Sequence, residues 1–248
     1  MRTIEALRRA LVFDSEAVMN AAMAGTWREL CLASVKARGR FVAAVSGGRT
    51  PLGFYRTLAG QGGDLPWDKT HLFLVDERFV PPDDADSNYR LLTESLLSSV
   101  PIPLGNIHPV PVAPDPETAA RVYEQSLAEF FRLRQGDMPR FDLIMLGVGE
   151  DGHTASLFPG SPAVCEKERL VRAVEMAGVR RQRMTLTLPV LNNAGKIVFL
   201  VSGASKADVL RDIVRKAPES LPAARVKPVD GELVFMADPG AGSLLAAA

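Results

Sequence analysis

Cysteine, histidine and aromatic side chains are scarce in this chain, and neither sign of charge is in excess. Its 248 residues hold two cysteines, three histidines and 6% aromatics, with 29 basic and 29 acidic side chains. Cys31 and Cys165 form no CxxC pair and no bridge framework, which excludes a disulfide-stapled fold and fits a reducing compartment. Balanced charge excludes a global basic field for nucleic acid, so any anion must be held locally. No segment approaches the roughly 18 uninterrupted apolar residues of a membrane span, and Met1 to Ala10 carries no apolar core of signal-peptide length. A cytoplasmic protein with no nucleic-acid or membrane partner is expected; protein partners are left open. Also missing are a GxxxxGK[ST] phosphate loop and a GxSxG nucleophile elbow.

Short apolar runs are present instead: Phe41 to Val45, His71 to Val75, Phe141 to Leu146 and Lys196 to Val201. Near-continuous hydrophobic strands alternating with helical patterns over 14–38, 51–59, 87–98, 116–134 and 205–216 predict an α/β fold. Its sheet is mostly parallel, with helices on both faces. Further strands are expected near 107–112, 170–174, 184–188 and 232–236. No internal repeat or linker interrupts the pattern, so residues 1–248 read as a single domain with a flexible end from about residue 240.

Each of the four main strands runs into polar residues: Ser46-Gly47-Gly48-Arg49-Thr50, Asp76-Glu77-Arg78, Gly147 to Ser156, and Ser202-Gly203-Ala204-Ser205-Lys206. In a parallel sheet the carboxyl ends share one edge, where ligands bind, so the four motifs are expected to converge. The Ser46 to Thr50 loop opens a helix at Pro51 and reads as an anion seat, with the Ser46 and Thr50 hydroxyls and Arg49 completing it; a plain strand-to-helix turn is the alternative. Lys206, in the first turn of a helix capped by Ser205, opposes the helix dipole, which points to an anionic ligand or to a merely solvated lysine. Arg78 is suited to an oxyanion or a substrate anion, with Asp76 or Glu77 orienting it, unless the three residues form only a local ion pair. Ser87-Asn88-Tyr89-Arg90 reads as a helix start that adds contacts.

The turn Gly147-Val148-Gly149-Glu150-Asp151-Gly152-His153 matches GxGxxG in form only. Its two carboxylates stand where a pyrophosphate would lie, and Pro159 follows too closely for a long helix. His153 among acids suits a general base, with water as nucleophile; a metal held by Glu150, Asp151 and His153 lacks a second histidine or cysteine at ligand spacing. His71 and His108 read as structural.

Together with Ser87-Asn88-Tyr89, His153 to Pro159, Arg183 to Thr187 and Ser202-Gly203-x-x-Lys206, these motifs closely resemble the 6-phosphogluconolactonase family, in order from about residue 41 to 238. The resemblance implies an open, doubly wound α/β fold of the phosphosugar isomerase/deaminase superfamily and hydrolysis of a phosphosugar lactone without cofactor or metal. It implies His153, Asp151 and Arg78 as catalytic, and Ser46, Gly47, Gly48, Arg49, Thr50, Asp76, Arg183 and Lys206 as substrate-binding. The related deaminases continue after the histidine to Asn-Glu-Pro, whereas this chain has Leu157-Phe158-Pro159. The run Arg180-Arg181-Gln182-Arg183 leaves open which arginine faces substrate. A deaminase and a non-catalytic phosphosugar sensor remain the alternatives.

Overall fold

The computed structural model describes residues 1–4, 8–175 and 181–245. The chain begins with strands β1 (Arg2–Ile4) and β2 (Ala10–Val12), then helix α1 (Glu16–Arg38), strand β3 (Phe41–Val45), helix α2 (Thr50–Gln61) and strand β4 (Thr70–Leu74). Next come β5 (Asp76–Arg78), α3 (Asn88–Ser95), β6 (Ile107–His108), α4 (Pro116–Phe131) and β7 (Leu143–Leu146). The rest is β8 (Val171–Val174), β9 (Arg183–Leu186), α5 (Leu188–Asn192), β10 (Lys196–Val201), α6 (Ala207–Arg215) and β11 (Glu232–Ala237).

Local signals set several boundaries. The Ser15 hydroxyl accepts the Val18 N–H at 3.2 Å to start α1, and Gly39 ends it with φ 74°. At α4, Asp115 accepts the Thr118 N–H and Pro116 fills the first turn. That helix stops at Phe131, short of the expected 134, because Arg132 turns left-handed at φ 54°.

Among the described residues eight strands form one sheet in the order β1-β2-β11-β10-β7-β3-β4-β6, in which only β1 runs antiparallel to its neighbour. Alternate residues of each central strand face opposite layers. Val42, Ala44, Ile144 and Phe199 join the core that includes Ala120, Tyr123 and Leu210 of α4 and α6. Phe41, Ala43, Met145 and Val198 join the core that includes Trp27, Phe54 and Tyr55 of α1 and α2. Both faces are covered, which is why the strands read as unbroken apolar runs.

Residues 170–174 and 184–188, expected as further strands, do not enter this sheet. β8 and β9 form an antiparallel ribbon with β5, in the order β5-β9-β8. Parallel neighbours need a crossover of about a dozen residues or more, and the connections between β4 and β5 and between β8 and β9 are too short for one. The ribbon is anchored to the main sheet where the Leu186 N–H donates to the Val75 carbonyl at 2.8 Å. The end expected to be flexible is packed as far as Leu245: Ala241 and Leu245 are buried in the core, while 246–248 lie outside the described residues. Among the described residues no helix is long and apolar enough to cross a membrane.

Candidate active site

From β3 the chain moves outward through β4 to β6. β7 then returns to the other flank of β3 and leads outward through β10 to β11. That reversal leaves a crevice beyond the carboxyl ends of β3 and β7, the usual ligand position in such sheets. A cleft of about 240 Å³ lies there, lined by the 46–51 loop, Asp76, Arg78, Asn88, Gly147 to Gly149, His153, Ala155, Arg183 and Lys206. The four strand-end motifs do converge.

No helix follows Gly152; the chain stays in turns through Pro159, with a single bridge between Thr154 and Leu157. Asp151 Oδ1 lies 2.5 Å from His153 Nδ1 and accepts the His153 backbone N–H at 3.1 Å. Burial pulls the Asp151 carboxyl upward, but the His153 N–H and imidazole outweigh it and hold it below its ordinary value. Gly149 makes room for this pair: a Cβ there would stand 2.1 Å from His153 Nδ1 and 2.5 Å from Asp151 Oδ1. The Thr154 hydroxyl ties the turn back to the Gly147 carbonyl at 2.9 Å.

The loop after β3 departs from expectation at one atom. Ser46 Oγ donates to the Met145 carbonyl at 2.9 Å, so its proton is committed to β7 and is not offered to a ligand. Gly47 packs so closely on Asn88 that a Cβ would meet Asn88 Oδ1 at 1.9 Å, and Gly48 turns the loop at φ 97°. α2 starts at Thr50, so its amino end points into the cleft region, with Arg49 exposed at the cap position. Residues 204–206 form a 3-10 turn and no side chain caps α6. Ser205 is therefore not the cap, and Lys206 precedes α6 instead of lying in its first turn. Its Nζ is 3.6 Å from Glu150 Oε1, and the Ser205 hydroxyl together with Lys206 lowers the Glu150 carboxyl.

The ribbon forms the third wall. Arg78 stands opposite Arg183 in register, and Asp76 opposite Thr185. Glu77 is buried and fully engaged, accepting the backbone N–H groups of Arg78, Asn88 and Tyr89 and the Ser87 hydroxyl. It anchors the start of α3, and burial raises its pKa despite those bonds. The expectation that Asp76 or Glu77 orients the Arg78 side chain gives way to another arrangement: Arg78 Nη1 donates to the Asp86 carbonyl at 2.5 Å, while Asp76 Oδ2 accepts from Ser156 Oγ at 2.7 Å. Of the arginines near 180, Arg183 lines the cleft, Arg181 pairs with Asp86 at 3.2 Å, and Arg180 lies outside the described residues. Arg78 Nε, Arg183 Nε and Asn88 Oδ1 are buried without a hydrogen-bond partner, leaving two cationic donors unsatisfied at one cleft.

Ser156 and Thr185 carry structural weight that sequence reasoning missed. Both are buried, and the Ser156 N–H donates to Thr185 Oγ1 at 3.2 Å, fastening the base turn to the ribbon. Only the position of Ser156 beside the motif hinted at this. His71 and His108 lie outside the cleft, within 3.3 Å of each other and packed on Phe130. Among the described residues no group of three His, Cys, Asp or Glu side chains gathers to hold a metal ion.

A family model described as glucosamine-6-phosphate isomerases/6-phosphogluconolactonase matches residues 14–235. A 6-phosphogluconolactonase of Synechocystis is 45% identical over 215 residues, covering 86% of this chain and 88% of the relative. The crystal structure of 6-phosphogluconolactonase from Thermotoga maritima superposes with a TM-score of 0.80 at 31% identity, over 92% of this chain and 98% of that one. A monomeric glucosamine-6-phosphate deaminase, 21% identical with a TM-score of 0.80 over 95% of this chain and 99% of its own, shares the fold.

Proposed function

The chain belongs to the glucosamine-6-phosphate isomerase/6-phosphogluconolactonase family, and we propose that it hydrolyses 6-phosphoglucono-δ-lactone to 6-phosphogluconate in the oxidative pentose phosphate pathway, with His153 as general base. The observation that carries this reading is that His153, backed by Asp151, lines one cleft with Arg78, Arg183 and Lys206. A base at one wall and cations at the others suit a neutral carbonyl attached to a phosphate.

The substrate phosphate sits at the Gly47 to Thr50 loop and the amino end of α2, held by Arg183 and Lys206; Ser46 shapes the loop without lending its hydroxyl proton. That remote binding energy sets the lactone carbonyl beside His153. Asp151 accepts from Nδ1, which leaves Nε2 to take a proton from water. The hydroxide adds to the carbonyl carbon, and Arg78 stabilises the oxyanion. When the tetrahedral adduct collapses, the ring C–O bond breaks and His153 returns its proton to the departing ring oxygen. No cofactor enters this scheme. The substrate is a small phosphosugar lactone, and the reaction needs neither nucleic acid nor membrane.

Purified protein is incubated with fresh 6-phosphoglucono-δ-lactone and, separately, with glucosamine 6-phosphate. Acid release from the first above the spontaneous rate, with no ammonia from the second, is expected. Ammonia release would make it a deaminase. Stabilisation by sugar phosphates without turnover would make it a sensor.

A further inference from the structure

We propose that Phe158 is a positioning residue of this reaction, an aromatic ring that packs against both the His153 imidazole and the Arg183 guanidinium. The inference rests on the lactonase reading above. The Phe158 and His153 ring centroids are 4.6 Å apart with the planes at 41°, and Arg183 Cζ lies 5.6 Å from the Phe158 centroid. Phe158 is itself buried and belongs to the core cluster that also holds Leu157 and Val164. Base and arginine are thus both referenced to a rigid ring.

Each partner needs such a reference. Asp151 grips one edge of the imidazole, which fixes Nδ1 but leaves the ring free to swing about that contact; the Phe158 ring blocks the swing. Arg183 has a buried Nε without an acceptor, and no salt bridge holds it among the described residues. Asp76, with Asp86 and Glu77, attracts the Arg183 guanidinium through space while Arg78, opposite it in register, acts against it; none of the carboxylates closes a salt bridge with Arg183, and the Phe158 face adds an attraction in direct contact. When His153 takes the water proton, a second cation forms against the same ring, and the ring favours that charge in the transition state. Phe158 therefore links kcat, through His153, to KM, through Arg183.

The test uses the full chain with two replacements at position 158: Phe158→Met, which keeps apolar bulk without a ring, and Phe158→3,4,5-trifluorophenylalanine, which keeps shape but weakens the electrostatic attraction of the face. Each is also made in an Arg183→Met background. Phe158→Met is expected to lower kcat about tenfold and raise KM for the phospholactone several-fold, and the fluorinated ring to shift both in the same direction by about two- to fivefold. In the Arg183→Met background the KM effect disappears and the kcat effect remains. A fluorinated enzyme kinetically identical to the unmodified one overturns the proposal, as does a KM effect that persists without Arg183. If Phe158→Met does not fold, the shape-conserving fluorinated ring alone decides. Failure of the unmodified protein to hydrolyse the lactone removes the lactonase reading and this inference with it; an active parent with unchanged variants removes only the inference.

Discussion

Asp151 holds His153 twice through a single oxygen: Oδ1 is 2.5 Å from the imidazole Nδ1 and accepts the backbone N–H of the same residue at 3.1 Å. An ionised carboxylate only accepts, so Nδ1 carries the proton and Nε2 is the basic nitrogen. Loss of the base in His153→Ala is expected to lower kcat by roughly two to four decades. Asp151→Asn, which permits the wrong tautomer, should cost roughly a hundredfold or more. Both are read by acid release from the lactone after subtracting spontaneous hydrolysis; near-normal turnover by His153→Ala would sink the assignment.

Removing a phosphate cation should act on binding. Arg183→Ala and Lys206→Ala are each expected to raise KM about 10- to 100-fold, the worth of one charge-assisted hydrogen bond, with a smaller change in kcat. Steady-state kinetics on the phosphorylated lactone decide this. An unchanged KM in either variant removes that residue from the phosphate site.

Gly149 is required by space and not by backbone angle. Its φ is not positive, but a methyl group there would stand 2.1 Å from His153 Nδ1. Gly149→Ala is expected to displace the Asp151–His153 pair, lower kcat by roughly two decades and cost about 1–3 kcal/mol of stability. A folded Gly149→Ala protein with full activity would contradict this geometry.

Ser156 gives the buried Asp76 carboxylate its hydroxyl donor at 2.7 Å. Ser156→Ala leaves that oxygen unpaired, and a loss of about 1–3 kcal/mol is expected in chemical denaturation. Ser156→Thr, which keeps the donor, should recover part of it.

The fold should lose stability in mild acid through His108. Burial first, and the neighbouring His71 second, hold the His108 pKa at about 4 against an ordinary 6.5, and burial with Arg40 lowers His71 as well. Both imidazoles are neutral in the folded state. Their depressed pKa values make the unfolded chain bind more protons below pH 6.5, so stability is fully present above that value and falls as the pH drops towards 4. His108→Asn should flatten the melting temperature over this range; an unchanged slope would show that other groups cause it.

Much of the fold was legible because burial on both faces writes itself as continuous apolar runs, as in Phe41 to Val45 and Lys196 to Val201. The ribbon was not legible in the same way. β8 and β9 carry strand-like residues at the expected places, but nothing local states which sheet receives them; the short connection between them and the Leu186 to Val75 hydrogen bond decide that. β5 has no strand signal of its own, since its three charged residues at the end of β4 show no periodicity.

At the site, residue type and backbone demands are local properties. The order of residues alone shows that glycines, carboxylates, a histidine and separate cations follow the strands, and a parallel sheet obliges those ends to meet. Partner choice is not local. Packing across the chain sets that Ser46 spends its proton on Met145, that Glu77 anchors α3, that Arg183 and not Arg181 enters the cleft, and that Phe158 touches both base and arginine. Each of those outcomes depends on atoms far apart in the chain, whose distance is set by how the sheet, the ribbon and the helices pack.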